Sequence, residues 1–281
     1  MAQTLLSLGH GYSARALAKL LLPQGWRIIG TTRTAEKADV LKGEGIEPRI
    51  TPDDDLTGDI AGASHILVSA APSDDGDPFL LRYPEALRSA PAGWVGYLST
   101  TGVYGDHGGA WVDEDTALSP TTHRGALRVK AEADWLATGL PVHIFRLAGI
   151  YGPGRGPFAK VRAGTARRII KKGQIFSRIH VDDIAQVLAA SIARPNSGRI
   201  YNVCDNDPAP PQDVIGHAAE LLGLPLPPEV DFETADMPPM ARSFYGESKR
   251  VSNARIRDEL GVKLLYPSYK DGLPALLETA N

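Results

Sequence analysis

Apolar residues fall along this chain in two alternating rhythms. Short, nearly continuous apolar runs at 4–8, 27–31, 65–69, 94–99, 142–147 and 199–203 have the length and content of buried strands. Between them, residues 14–22, 35–42, 79–88, 124–137 and 182–194 repeat apolar positions every three or four residues, the period of an amphipathic helix. Pro23-Gln24-Gly25 stops the first helix, and a loop ending at Pro78 precedes the third. Strands separated by helices build a parallel sheet covered on both faces, because each crossover must bring the chain back in the same direction. The pattern predicts an α/β fold: a Rossmann-type doubly wound parallel sheet with a smaller C-terminal α+β lobe. Residues 1–150 form the expected core, completed by roughly 180–205, and 151–179 with 206–281 form the lobe. The break falls after Gly149, where Gly152, Pro153, Gly154, Gly156 and Pro157 exclude a helix.

Composition narrows the function without naming it. With 281 residues, 43% of them hydrophobic, the chain can bury a core without covalent staples. Its single cysteine, Cys204, rules out an intrachain disulfide and points to a reducing, cytoplasmic setting with the thiol as core filling. A net charge of −3 argues against a nucleic-acid partner. No long apolar stretch suggests a membrane segment, and no Cys/His/Asp set has metal-ligand spacing. A small-molecule partner, and a monomer or homodimer, are the expectation.

The chemistry begins at Gly9-His10-Gly11-Tyr12-Ser13-Ala14, a Gly-x-Gly-x-x-Ala turn between the first strand and first helix. Gly9 permits the tight turn, Gly11 lets backbone approach a pyrophosphate, and Ala14 lets the helix pack closely on the strand. The helix N-terminus then faces the anion, with Tyr12 and Ser13 beside it. The second strand ends Thr31-Thr32-Arg33, where an NAD site usually carries an acid for the ribose hydroxyls. Thr32 and Arg33, helped by Arg15, suit a 2′-phosphate, so the expected cofactor is NADP(H) rather than NAD(H). Ser69-Ala70-Ala71 ends the 65–69 strand with small residues along which a cofactor can lie. Asp53-Asp54-Asp55 reads as a solvated turn.

Several further segments resemble the extended, epimerase/dehydratase-like branch of the short-chain dehydrogenase/reductase superfamily. These are Ser99-Thr100-Thr101-Gly102-Val103-Tyr104-Gly105, Arg146 through Tyr151-Gly152-Pro153-Gly154, His180-Val181-Asp182-Asp183-Ile184-Ala185 and Tyr201-Asn202-Val203, all in the family's order. Gly76-Asp77-Pro78 and Lys249-Arg250-Val251-Ser252-Asn253 are similar to an atypical, YeeZ-like bacterial subgroup. The resemblance implies an oxidoreductase or epimerase acting on a nucleotide sugar or a related phosphorylated or carbonyl compound. In such enzymes a Ser or Thr and a Tyr-x-x-x-Lys pair pass the proton that accompanies hydride transfer. The hydroxyl position falls on Thr100, and the helix pattern aligns on Arg124 to Glu132. There the tyrosine position holds Arg124 and the lysine position Arg128. Arginine does not release its proton near neutral pH, so this chain departs from the family at its central residue. A non-catalytic NADP(H)-binding sensor is the competing expectation.

Candidate proton donors elsewhere are Tyr104, His123 and Tyr245; the last heads the string Tyr245-Gly246-Glu247-Ser248-Lys249, which reads as a chance spacing far from the expected helix. Residues 155–178 hold eight basic side chains and no acid. Most read as a solvated face; Arg155 and Arg178 are the expected contacts to an anionic substrate, with Tyr245 as a further expected substrate residue. Asp182 and Asp183 read as helix N-cap and first-turn acids, His180 as structural, and Asp113, Glu114 and Asp115 as a polar loop.

Overall fold

A computed structural model describes residues 3–278, so the outermost ends of both expected lobes, 1–2 and 279–281, lie outside the described residues. Seven parallel strands make the central sheet: β1 (Thr4–Leu8), β2 (Arg27–Thr32), β3 (Glu47–Ile50), β4 (His65–Val68), β5 (Trp94–Thr100), β6 (Val142–Leu147) and β7 (Ile200–Val203). Their spatial order is β7-β6-β5-β4-β1-β2-β3, with the topological switch between β1 and β4. Ligands of open α/β sheets bind outside the strand carboxyl ends at such a switch.

Side chains alternate between two cores, as the two-residue period of a strand requires. Leu5, Ile28 and Leu67 face one core, which the helices Tyr12–Leu21 and Val181–Ala193 cover with Leu17, Ile184 and Leu188. Leu6, Leu8, Ile29, Ile66 and Val68 face the other, closed by Ile60, Phe79, Leu87 and Trp135. Full burial of a leucine or isoleucine contributes about 1.5–3 kcal/mol, so this two-sided apolar sheet is the stable frame of the molecule. Cys204 is fully buried and donates to the Val251 carbonyl at 3.1 Å.

Of the element boundaries that differ from the sequence expectation, two have a clear local cause. The helix expected over 79–88 is two short helices, Pro78–Arg82 and Pro84–Arg88, because Pro84 lacks the amide that would continue the first. The helix expected over 182–194 begins at Val181, and its N-cap is His180, whose Nδ1 accepts from the Asp182 amide at 3.2 Å. Asp182 is therefore a first-turn residue rather than the cap. Buried Asp183 accepts from the Leu265 and Tyr266 amides, which ties down the C-terminal segment.

Outside the sheet, three short parallel pairings hold the C-terminal elements over the strand ends. They join Gly149–Tyr151 to Arg178–His180, Arg168–Ile170 to Glu229–Asp231, and Trp111–Val112 to Arg250–Val251. A separate apolar cluster, with Phe158, Val161, Ala218, Leu273 and Leu276 in it, gives these elements their own core. Among the described residues, no helix is long and apolar enough to cross a membrane.

Candidate functional site

A cavity of about 1080 Å³ opens over the carboxyl ends of β1, β4 and β5. At one end lies the glycine turn. Gly9 has φ +83°, and a Cβ there would sit 2.8 Å from the Ala70 amide nitrogen. Its own amide donates to the Thr31 hydroxyl at 2.6 Å, so β2 fixes the turn from the side. A Cβ on Gly11 would meet only the Gly9 carbonyl, at 3.8 Å; the space above it is open. No side chain caps the helix that starts at Tyr12, and its first turn contains no acid. Its leading amides are thus available to an anion, as the phosphate-binding turn of a dinucleotide site requires. Ser69 adds a buried hydroxyl with no protein partner.

Gly9, Gly11, Tyr12, Ser13, Ser69, Ala71 and Thr100 all line this cavity. Ala14 and Ala70 do not; Ala14 is buried beneath the helix and Ala70 packs against Gly9, so both support the turn rather than face a ligand. His10, between the two glycines, is buried, and burial pushes its imidazole down to about 4, so it is neutral at physiological pH.

At the end of β2, Thr32 is buried and its carbonyl accepts from the Thr51 amide. Arg33 is exposed and has no ion-pair partner among the described residues. Arg15 is differently placed from expectation: both arms of its guanidinium are held by Glu44. It is an ion-pair residue on the helix surface, and Arg33 is left as the free cation.

Thr100 and the two helix arginines line the same cavity. The Thr100 hydroxyl accepts from the Gly102 amide at 3.1 Å, which leaves its own proton available to a ligand. Thr122 caps the helix His123–Leu136 by accepting from the Gly125 amide, and Arg124 projects from its exposed first turn. One turn later, Arg128 Nη1 donates to the Leu98 carbonyl at 2.7 Å and the Tyr97 hydroxyl at 3.1 Å, and lies 3.4 Å from the Ala70 carbonyl. Arg128 thereby clamps the ends of β4 and β5 together while lining the cavity.

Beneath this floor runs a buried polar chain. Glu132 pairs with Arg146 at 2.8 Å, with side chains only 4% and 3% exposed, and accepts from Ser99 at 2.5 Å. Arg146 also donates to the Tyr104 hydroxyl at 2.9 Å, which donates to Asn202 Oδ1 at 2.7 Å. The Asn202 amide in turn donates to Glu114 at 2.8 Å. Two expectations are corrected here. Tyr104 is fully buried, outside the cavity, and pushed up to about 12 by burial, so it is not a proton donor to the site. Glu114 belongs to the buried chain and is not part of a solvated loop; burial raises its carboxyl above the usual range. His123 is exposed and bonded to Asp74, also away from the cavity lining.

The far end comes from the C-terminal elements. Arg178 and Tyr245 line it; Arg155 also lines the cavity, but its guanidinium lies 5.9 Å from the Tyr12 ring and so stands by the glycine turn rather than at this end. Most other basic residues of 155–178 are solvated or tie backbone: Arg168 pairs with Glu229, and Arg167 donates to nearby carbonyls. Sequence reading missed Glu247 and Lys249. Both line the cavity as an ion pair at 2.6 Å, Lys249 also donating to the Gly105 carbonyl and Glu247 accepting from Thr121. The Tyr-x-x-x-Lys string at 245–249 is therefore at the cavity and not remote from it. The signal that could have found it is the pairing of 250–251 with 111–112, which straps this segment across the 105–112 loop.

Among the described residues, no group of three His, Cys, Asp or Glu could hold a metal ion. A sequence profile of the NAD-dependent epimerase/dehydratase family matches residues 8–204. Over 278 residues the chain is 31% identical to the protein YeeZ of Escherichia coli K12, covering 92% of this chain and 94% of that one. It is 29% identical over 208 residues to a 3-diazoavenalumate denitrifying reductase of a Streptomyces species, covering 67% of this chain and 66% of the other. Its fold superimposes, with a TM-score of 0.94 and 59% identity over the whole of both chains, on a conserved protein from Silicibacter pomeroyi DSS.

Proposed function

The chain belongs to the NAD-dependent epimerase/dehydratase family, and we propose that it is an NADP(H)-binding oxidoreductase or epimerase that works without the tyrosine–lysine pair. One observation carries this reading: a single cavity joins the glycine turn, Thr100, Arg124 and Arg128, and the cationic far end. Its substrate is a nucleotide sugar or a related phosphorylated or carbonyl small molecule. The reductase among its relatives supports an oxidoreductase over a purely structural role.

The family description names NAD; the preference for the phosphorylated form rests on Arg33, an unpaired cation where a ribose-binding acid would stand. A bound nicotinamide supplies or accepts the hydride. Thr100 donates a hydrogen bond to the substrate oxygen, since the Gly102 amide already occupies its acceptor side. Arg128, fixed by backbone and phenol oxygens, places a permanent positive charge where negative charge develops on that oxygen. Arg124 at the cavity lip adds a second. Neither arginine can release its proton, so a bound water delivers it under their field.

The fully buried Tyr104 and the arginine at position 124 favour a second reading, in which the protein binds NADP(H) as a sensor and does not turn it over. NADPH oxidation by the full chain, followed against a panel of carbonyl compounds, separates the two. Turnover that falls at least tenfold in Thr100→Ala with unchanged NADPH affinity supports the enzyme; tight NADPH binding with no turnover across the panel supports the sensor.

A further inference from the structure

The far end of the cavity has a chemistry of its own. Arg178 sits at the end of the Arg178–His180 strand with its guanidinium partly buried. Its Nη1 donates to the Phe176 and Ala209 carbonyls at 2.9 and 3.0 Å, which pins the side chain in one orientation. Among the described residues it has no carboxylate within ion-pair distance, and Nε and Nη2 have no protein acceptor. Buried Asp205 and then Asp207 are the carboxyls that favour its charge, but neither is in ion-pair contact with the guanidinium. A partly buried, oriented guanidinium with no carboxylate in contact is a receptor for an anion from outside the protein.

Two phenols share that end. Tyr245 and Tyr269 line the cavity, and both feel the charge of Arg178. Neither hydroxyl hydrogen-bonds to a protein acceptor among the described residues. Part of the wall around them is apolar: Phe176 packs edge-on to Tyr245 at 5.4 Å, and Met240 and Phe244, one turn apart on the helix Pro239–Phe244, line the cavity although they are 63% and 55% exposed. This stretch offers an apolar surface beside one guanidinium fork and two hydroxyls, with the Glu247–Lys249 pair on the same cavity.

We propose that Arg178, Tyr245 and Tyr269 form a carboxylate clamp, and that, within the carbonyl class, the substrate is a small molecule that carries a carboxylate on an apolar, aryl or alkyl body. The free Nε–Nη2 edge matches the two oxygens of a carboxylate, the phenols donate to the same oxygens, and Phe176, Met240 and Phe244 cover the body. This rests on the oxidoreductase reading above and narrows its substrate class.

Calorimetric titration of the full chain, with and without saturating NADPH, tests it. The probes are trans-cinnamate, cinnamyl alcohol, phenyl phosphate and UDP-glucose. Cinnamate is expected to bind the wild type at least tenfold more tightly than either the alcohol or UDP-glucose, and more tightly than phenyl phosphate. Arg178→Met is expected to weaken cinnamate binding tenfold or more, leaving the alcohol and NADPH unchanged. Because Arg178 also holds two carbonyls, the doubly substituted Tyr245→Phe/Tyr269→Phe chain, which keeps both rings, serves as the second variant; a threefold or greater loss confined to cinnamate is expected. No cinnamate binding by the wild type, tighter binding of UDP-glucose or phenyl phosphate, or equal cinnamate binding by the wild type and both variants overturns the clamp. Loss of NADPH binding in the wild type would instead overturn the cofactor reading, and cinnamate binding without NADPH would still support the clamp.

Discussion

The two ends of the cavity are made of different materials. The dinucleotide end is built largely from backbone and from the absence of side chains: Gly9, Gly11, Ala70 and Ala71, with free helix amides and a Thr31 hydroxyl holding the turn. The opposite end, where the substrate is proposed to bind, is built from long side chains, Arg178, Tyr245, Glu247 and Lys249, supplied by segments far apart in the chain. A backbone site is fixed by the sheet and tolerates almost no change. A side-chain site can be rewritten residue by residue while the fold stays the same, and the proposed replacement of a tyrosine–lysine pair by Arg124 and Arg128 would be one such rewriting.

Substitutions that separate the two ends sharpen this contrast, and those that damage both at once bound it. The largest effect is expected below the floor they share. Arg146→Met leaves Glu132 buried without its partner, and breaking such a pair costs about 3–5 kcal/mol; chemical denaturation should show it as a lowered midpoint. Gly9→Val comes next. Its Cβ would collide with the Ala70 backbone in a positive-φ conformation, so NADPH affinity should fall by roughly a hundredfold, or about 2.7 kcal/mol, by fluorescence titration. Normal NADPH binding by this variant would break the claim that backbone alone builds that end.

Arg33→Ala should weaken NADPH binding roughly tenfold, about 1.4 kcal/mol, with little change for NADH, since an exposed arginine meets only the extra phosphate. The last effect is a pH dependence beside Arg178. Burial raises the Asp205 carboxyl from 3.8 to about 8, so the folded chain binds this proton more tightly than the unfolded one. Its contribution to stability is therefore complete below about pH 4 and lost as the pH rises through about 8. Asp205→Asn should flatten that loss and melt at a higher temperature than the wild type at pH 9, by thermal melts across the pH series.

The same contrast explains what could be read from the sequence. Six of the seven sheet strands and the glycine turn depend on local periodicity and on neighbouring residues, and they are legible; the order of the strands in the sheet is not. Thr100, Arg124 and Arg128 follow from a spaced motif in the correct order. Tyr104 does not, because its fate is decided by Arg146 and Asn202, which lie on β6 and β7 and are distant in sequence. Arg15 looked free until the turn after the second helix brought Glu44 to it. Glu247 and Lys249 were hidden for a similar reason: only the strand pairing that straps them over Gly105 brings them to the cavity. The break at Pro84, by contrast, was written in the sequence and is a local proline effect.

The central proposal is that the Gly9–Gly11 turn, with Arg33 just past the end of the neighbouring strand β2, holds a dinucleotide bearing a 2′-phosphate. Its most direct test is a calorimetric titration of the full chain with NADPH and then with NADH. One site per chain with at least a tenfold preference for NADPH is the predicted result. Binding of neither nucleotide, or equal affinity for both, would contradict it.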